Sequence, residues 1–388
     1  MLSRLLNPEA RLLFACLEPN EDALRSLLSA PVDWRALCEM LDREGAAIHV
    51  WRAIAPYAAG IPAAYALRLR GLARVTHVRM LHLEQRTRDA VTALHDAGID
   101  CVLLKGAGLA VSVYRSFVER PMRDVDILVH REVIESAQQA LLASGWVAPM
   151  QPPAAVRDDQ SHHLPPLVDS RSLGVVLELH RALLTQGHPF RLSSDLLFEN
   201  SEPLGDNFPG ARVFTPTFLL LHTCIHFAYI HMFRQGAWRT FRDLARITSL
   251  HSFSWPAFVE QAVAVRAGSC AYWVLRLAHE LTDVAIPADV MEQLKPSASE
   301  RIQAMLARHL ALILSPGAQD CPSIGLRRVL WSSAIRPRSS GHGAARPWTL
   351  FAGPIGPAAG AQESENASDA RTSPRAWGRY VARVLTGR

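Results

Sequence analysis

The chain has 388 residues, 49% hydrophobic and 20% charged, with a formal net charge of +5. That length accommodates two or three domains with a sizeable core, and so mild a charge permits an anionic partner without demanding one. No apolar run approaches the roughly 18–20 residues of a membrane span, the start lacks the pattern of a signal peptide, and the six cysteines form no C-x-x-C pair, which argues against a zinc ribbon or disulfide framework.

A cytoplasmic enzyme or binding protein is therefore the expectation. Residues 1–98 carry apolar residues at helical spacing through LLFACL, ALRSLL, WRALCEMLDREGA and HVWRAIA, broken at Pro31, Gly45 and Pro56. A longer helical segment from Tyr65 stops at Gly98, a C-cap. The pattern then changes. IDCVLLK is a short β-compatible run, GAGLAVSVYRSF returns to helical spacing, and RDVDILVH alternates as a strand. REVIESAQQALLASG is an amphipathic helix ending at Gly145, and WVAPM and GVVLELHRAL are further strand candidates. This order over 99–212 predicts an α+β class: a small mixed sheet with helices on one face, flanked by helical regions at 1–98 and 213–335. Residues 336–388 are expected to be a flexible tail, rich in Pro, Gly, Ser and Ala up to 376. Its last residues, PRAWGRYVARVLTGR, read as a basic amphipathic helix touching a membrane or partner, or as a frayed, solvated end.

Asp124 and Asp126 sit two apart on a predicted strand, so both leave one face while Val125, Ile127 and Val129 point to the core. Two such carboxylates repel unless a cation lies between them, and neutralising Asp126 is then expected to leave stability level or slightly higher. Divalent metals about 3.5–4 Å apart are the usual occupants of such a pair in phosphoryl chemistry, and magnesium suits oxygen ligands. The alternative is an edge strand with a polar face. On GVVLELH, Glu178 and His180 share a face. If that strand lies beside RDVDILV, Glu178 is a third carboxylate, able to complete a ligand set or take a proton; His180 is a structural hydrogen-bond partner or a site residue.

Upstream, LLKGAG runs from strand to helix, where free amides favour an anion. Gly106 and Gly108 would let it approach. Lys105 is one of only two lysines, with Lys295, among 41 basic residues; a compact ammonium suits one phosphate oxygen. Adjacent His162 and His163 are expected to point apart, excluding a shared metal but allowing a substrate contact. His222, His226 and Tyr229 share a helical face without the glutamate of a zinc motif, and read as a cleft wall or a core pair. Arg120, Arg123 and Arg242 are further phosphate candidates. No basic block or aromatic-interleaved strand supports nucleic-acid binding.

Leu104-Lys105-Gly106, then Arg120-Pro121-Met122-Arg123-Asp124-Val125-Asp126, then Glu178-Leu179-His180 follow one another in an order that resembles the bacterial uncharacterised nucleotidyltransferase family of the DNA polymerase β-like superfamily. Leu221-His222 to His226 and Arg242-Asp243-Leu244 resemble its C-terminal region. The resemblance is specific over about 95–185. It implies a nucleotidyltransferase fold and magnesium-assisted transfer of a nucleoside monophosphate from an NTP to a small-molecule, peptide or protein hydroxyl. Asp124, Asp126 and Glu178 would be the metal ligands, and Gly106 would belong to the turn receiving the triphosphate. The wider superfamily has Gly-Ser at this turn where this chain has Lys105-Gly106-Ala107, and the interval to Asp124 exceeds that of minimal members. Lys105 would then supply the missing phosphate contact. The competing reading is an inactive protein of the same fold that binds a nucleotide or a protein partner.

Overall fold

Side-chain caps start the first N-terminal helices. Asn7, Asn20 and Asp33 each accept a hydrogen bond from the first-turn amides of Pro8–Ala15, Glu21–Ser29 and Trp34–Glu44. The computed structural model describes residues 2–114, 116–148, 161–171, 174–282, 284–314, 324–335 and 374–387. Ala47–Ile54 follows, and then Ala63–Asp96, a helix of 34 residues. Its end is as expected. Gly98, at φ 71°, donates to the His95 carbonyl at 2.8 Å while Ile99 donates to Leu94 at 2.9 Å. This closure satisfies the last carbonyls and feeds the chain directly into the sheet.

The sheet has seven strands: β1 (Cys101–Leu103), β2 (Asp124–Leu128), β3 (Trp146–Val147), β4 (Leu167–Asp169), β5 (Val176–His180), β6 (Ser201–Pro203) and β7 (Ala211–Phe214). Their order is β3-β4-β5-β2-β1-β7-β6, which puts β2 at the centre. β2 runs parallel to β5, and β1 parallel to β7; the other pairings are antiparallel. The mixed α+β class is as expected, although the last strand continues past residue 212.

Helices on one face were expected; both faces are covered. Cys101, Leu103, Val125, Ile127, Leu177 and Leu179 belong to a core that includes Leu83, Val91 and Leu94 of the long helix and Leu141 of Ile134–Ala143. Val102, Leu128 and Val213 belong to a second core with Phe218 and Leu221 of Pro216–Ile225. Since Asp124 and Asp126 are in phase with Leu128, they face the C-terminal helices.

Those helices include Ala237–Thr248 and Gly268–Leu281. The final Pro374–Thr386 helix is docked rather than frayed: Tyr380 and Val384 are buried, Arg308 donates to the Leu385 carbonyl at 2.6 Å, and Arg383 to that of Leu5 at 2.7 Å. The tail expected over 336–373 lies outside the described residues. No described helix is long and apolar enough to cross a membrane.

The Lys105–Ser112 helix presses on β1 through its glycines. A Cβ on Gly108 would lie 2.4 Å from the Leu103 carbonyl oxygen, whereas one on Gly106 would meet the flexible Met122 Sδ at 2.9 Å. Both positions are thus explained by close packing. Gly108→Ala should cost about 3 kcal/mol, because backbone cannot yield, and Gly106→Ala about 1 kcal/mol. Urea denaturation measures both; equal losses would contradict this packing.

Candidate active site

β2 and β5 pair with Asp126 opposite Glu178 and Asp124 opposite Val176. In a parallel pair, opposed residues leave the same face as neighbours, so the two carboxylates meet over the centre of the sheet. Leu104 donates its amide to the Asp126 carbonyl at 2.9 Å, which fixes the start of the next helix beside them. Lys105 then takes a left-handed φ of 46°, a conformation that costs a non-glycine residue on the order of 1 kcal/mol. Its ammonium donates to Asp126 Oδ1 at 2.6 Å and stands 4.0 Å from Glu178 Oε2. The other lysine, Lys295, lies on the surface beside Glu292. His180, fully buried, places Nε2 2.9 Å from Asp126 Oδ1 and 3.4 Å from Glu178 Oε2. Carboxylates only accept, so Nε2 carries the proton.

These contacts divide the three acids. Burial pushes the Asp126 carboxyl up, but Lys105 and His180 outweigh it and hold the group well below the usual carboxylate range. Burial likewise disfavours charged Lys105 and His180, yet the carboxylates around them raise both. Glu178 is lowered: burial opposes its charge, and the His180 bond prevails. Asp124 has no such partner among the described residues. Burial first, then the charge of Asp126, push it up to about 6. The cation expected between Asp124 and Asp126 is not what Lys105 provides: it lies between Asp126 and Glu178.

A family model described as uncharacterised nucleotidyltransferase matches residues 30–283, more than half of the chain. The chain belongs to that family. No curated protein and no solved structure matches it. The matched span takes in the whole sheet together with the helices that enclose the acidic cleft.

The side chains around this acidic cluster only partly follow the sequence reading. His162 and His163 do not point apart: their rings lie 4.5 Å from one another and 5.4 and 5.2 Å from His180. His222 is buried and packs edge-on against Phe214; burial and then nearby Lys105 lower its ring to about 3, so it is neutral. His226 lies 6.1 Å from it, where the helix loosens into the π turn His226–Ile230; burial and then His231 keep it neutral. Tyr229 instead packs against Phe190 and Trp331. Arg120 is committed to Asp243 through Nε at 2.6 Å and Nη2 at 2.7 Å, with Tyr114 donating to the same carboxylate. Arg242 donates to the Glu119 carbonyl and lies over the Tyr114 ring, and Arg123 is exposed. None of the three lies free in the cleft. Arg239, passed over in the sequence, acts on Asp124; no local pattern singled it out, since its four-residue spacing from Asp243 yields no bond and Asp243 is taken by Arg120. A cavity of about 850 Å³ between the N-terminal helices and Gly268–Leu281 gathers no converging ligand set among the described residues.

The two aspartates should therefore differ in sign. A carboxyl raised from 3.8 to about 6 favours the fold when protonated and loses that contribution as pH rises through 6, so its ionised form costs on the order of 1–3 kcal/mol. Asp124→Asn should stabilise the protein at pH 7.5 and cease to do so below pH 4. Asp126 contributes stability above its unfolded value and loses it only at strongly acid pH. Contrary to the sequence expectation, Asp126→Asn should destabilise by about 3 kcal/mol, since it removes the charge that answers Lys105 and weakens the acceptor of the buried His180 Nε2. Thermal melts across pH give both signs; stabilisation by both substitutions would refute the pairing.

Proposed function

We propose that this protein transfers a nucleoside monophosphate from an NTP to a hydroxyl-type acceptor, with magnesium as cofactor. The observation that carries the reading is the register of Asp126 against Glu178 beside Lys105, with Asp124 at the head of the same strand. The donors fit the ion. Ligand atoms of Asp126, Glu178 and His180 lie within 4.8 Å of one another; the carboxylate oxygens suit magnesium, and His180 acts by fixing both carboxylates rather than as a preferred ligand. Asp124, Asp126 and Glu178 would hold the metal. When bound, it would offset charge on the transferring phosphoryl group and steady the attacking and leaving oxygens.

The remaining work falls to the chain. The first amides of the Lys105–Ser112 helix lack intrahelical acceptors and, with Lys105, receive the triphosphate at Gly106. Gly108 serves by letting the helix approach β1 closely, which holds that turn in place. Glu178, at 17% side-chain exposure against 2% for Asp126, is the more open carboxylate of the strand pair. It takes the proton of the acceptor hydroxyl as the new P–O bond forms and the bond to pyrophosphate breaks.

One observation favours a second reading, nucleotide binding without turnover: the Lys105 ammonium already neutralises Asp126. Calorimetric titration of each NTP separates the two. Binding that requires magnesium and is lost in Asp126→Asn, with label transfer from an α-labelled NTP reduced at least about 100-fold, supports the enzyme. Equal binding in EDTA supports the second reading. No NTP binding under either condition contradicts both.

A further inference from the structure

Among the described residues around the acidic cluster, pairing of charges leaves one cation over. Arg120 is neutralised bidentately by Asp243, and Lys105 by Asp126. Glu44, buried at 5% exposure, is occupied by the amides of Gly236 at 3.0 Å and Trp238 at 3.2 Å. Arg239, one residue further along the same helix, is half-buried and makes no hydrogen bond or salt bridge with any described residue. Its guanidinium is seated rather than loose. A Cβ on Gly45 would lie 3.4 Å from Nη1, and one on Gly236 3.5 Å from Nη2. The same Cβ on Gly45 would lie 3.5 Å from the Pro121 carbonyl oxygen, three residues before Asp124, so the guanidinium sits beside the segment that leads into β2, where its charge also acts on Asp124.

An arginine cannot shed its proton, so a seated guanidinium with no bonded anion keeps its charge and its donors available to a ligand. Among the described residues around it no spare anion lies within bonding distance, because Asp243 and Glu44 are both engaged. The planar fork matches a phosphate bidentately. We propose that Arg239 receives the outer phosphates of the triphosphate, and so selects nucleoside triphosphates over monophosphates. This rests on the proposed function and names the group within the site that grips the leaving pyrophosphate. Lys105 and Arg239 then hold the triphosphate from two sides, one from the sheet and one from the C-terminal helices.

Inorganic tripolyphosphate with magnesium is the probe, because it removes the question of base preference. Its binding to the full chain is measured by calorimetry for wild type, Arg239→Met, Arg239→Lys and Asp126→Asn. Arg239→Met should weaken it 10- to 100-fold and Arg239→Lys by less. Binding of the four nucleoside monophosphates should change less than twofold, and the melting temperature should not fall, as no internal bond is lost. Wild-type affinity for tripolyphosphate in Arg239→Met, or an equal loss for monophosphates, overturns the assignment. Unfolding of both Arg239→Met and Arg239→Gln would make the residue structural and likewise overturn it. If wild type binds and Asp126→Asn does not, while Arg239→Met is unaffected, only the Arg239 assignment falls. If wild type itself fails to bind tripolyphosphate with magnesium, the proposed function falls with it.

Discussion

A carboxylate at 2% exposure in the middle of a sheet is tolerable only if something answers its charge. Asp126 has two such partners, Lys105 at 2.6 Å and His180 at 2.9 Å, and much of the surrounding structure is arranged to bring them there. β2 lies between β1 and β5. One neighbour leads into the lysine, the other carries the histidine and Glu178. The left-handed backbone at Lys105 and the tight approach of Gly108 to Leu103 follow from the same demand. A divalent cation would compete with Lys105 for the same anion, so the ion pair that stabilises the fold stands directly in the path of the chemistry.

The cleft also depends on contacts between segments distant in sequence. Glu44 caps the Ala237–Thr248 helix from the N-terminal region, and Arg120 grips Asp243 on that helix from the segment leading into β2. Each of these carboxylates is buried and fully engaged, which orients the helix that carries Arg239. A roof of histidines kept neutral by burial then adds hydrogen-bonding surface without adding charge.

Much of this was legible in the residues. Period-two alternation put Asp124 with Asp126 and Glu178 with His180, and pairing of the two strands needed only that their apolar faces share a core. Gly98 announced the end of the long helix because a left-handed C-cap is a local requirement. What escaped was non-local. β7 is four residues long, too short to show alternation, and its place beside β1 comes from tertiary pairing. The glycines of the turn suggested access for an anion, whereas the atoms closest to them are Met122 and Leu103. Arg239 was invisible among many arginines, since what distinguishes it is the absence of a bonded partner in the described fold. The adjacent histidines converge because His163 bridges to His180, a register no local pattern encodes.

The central claim is that Asp126 is a shared anion, held by Lys105 in the fold described here and by a divalent cation when nucleotide is bound. Crystals grown with Mn²⁺ and tripolyphosphate test it most directly, through anomalous scattering from the metal. The account predicts a peak coordinated by Asp126 and Glu178, with the Lys105 ammonium moved off Asp126 towards phosphate. A Lys105–Asp126 ion pair left intact, with the metal bound elsewhere or not at all, would contradict it.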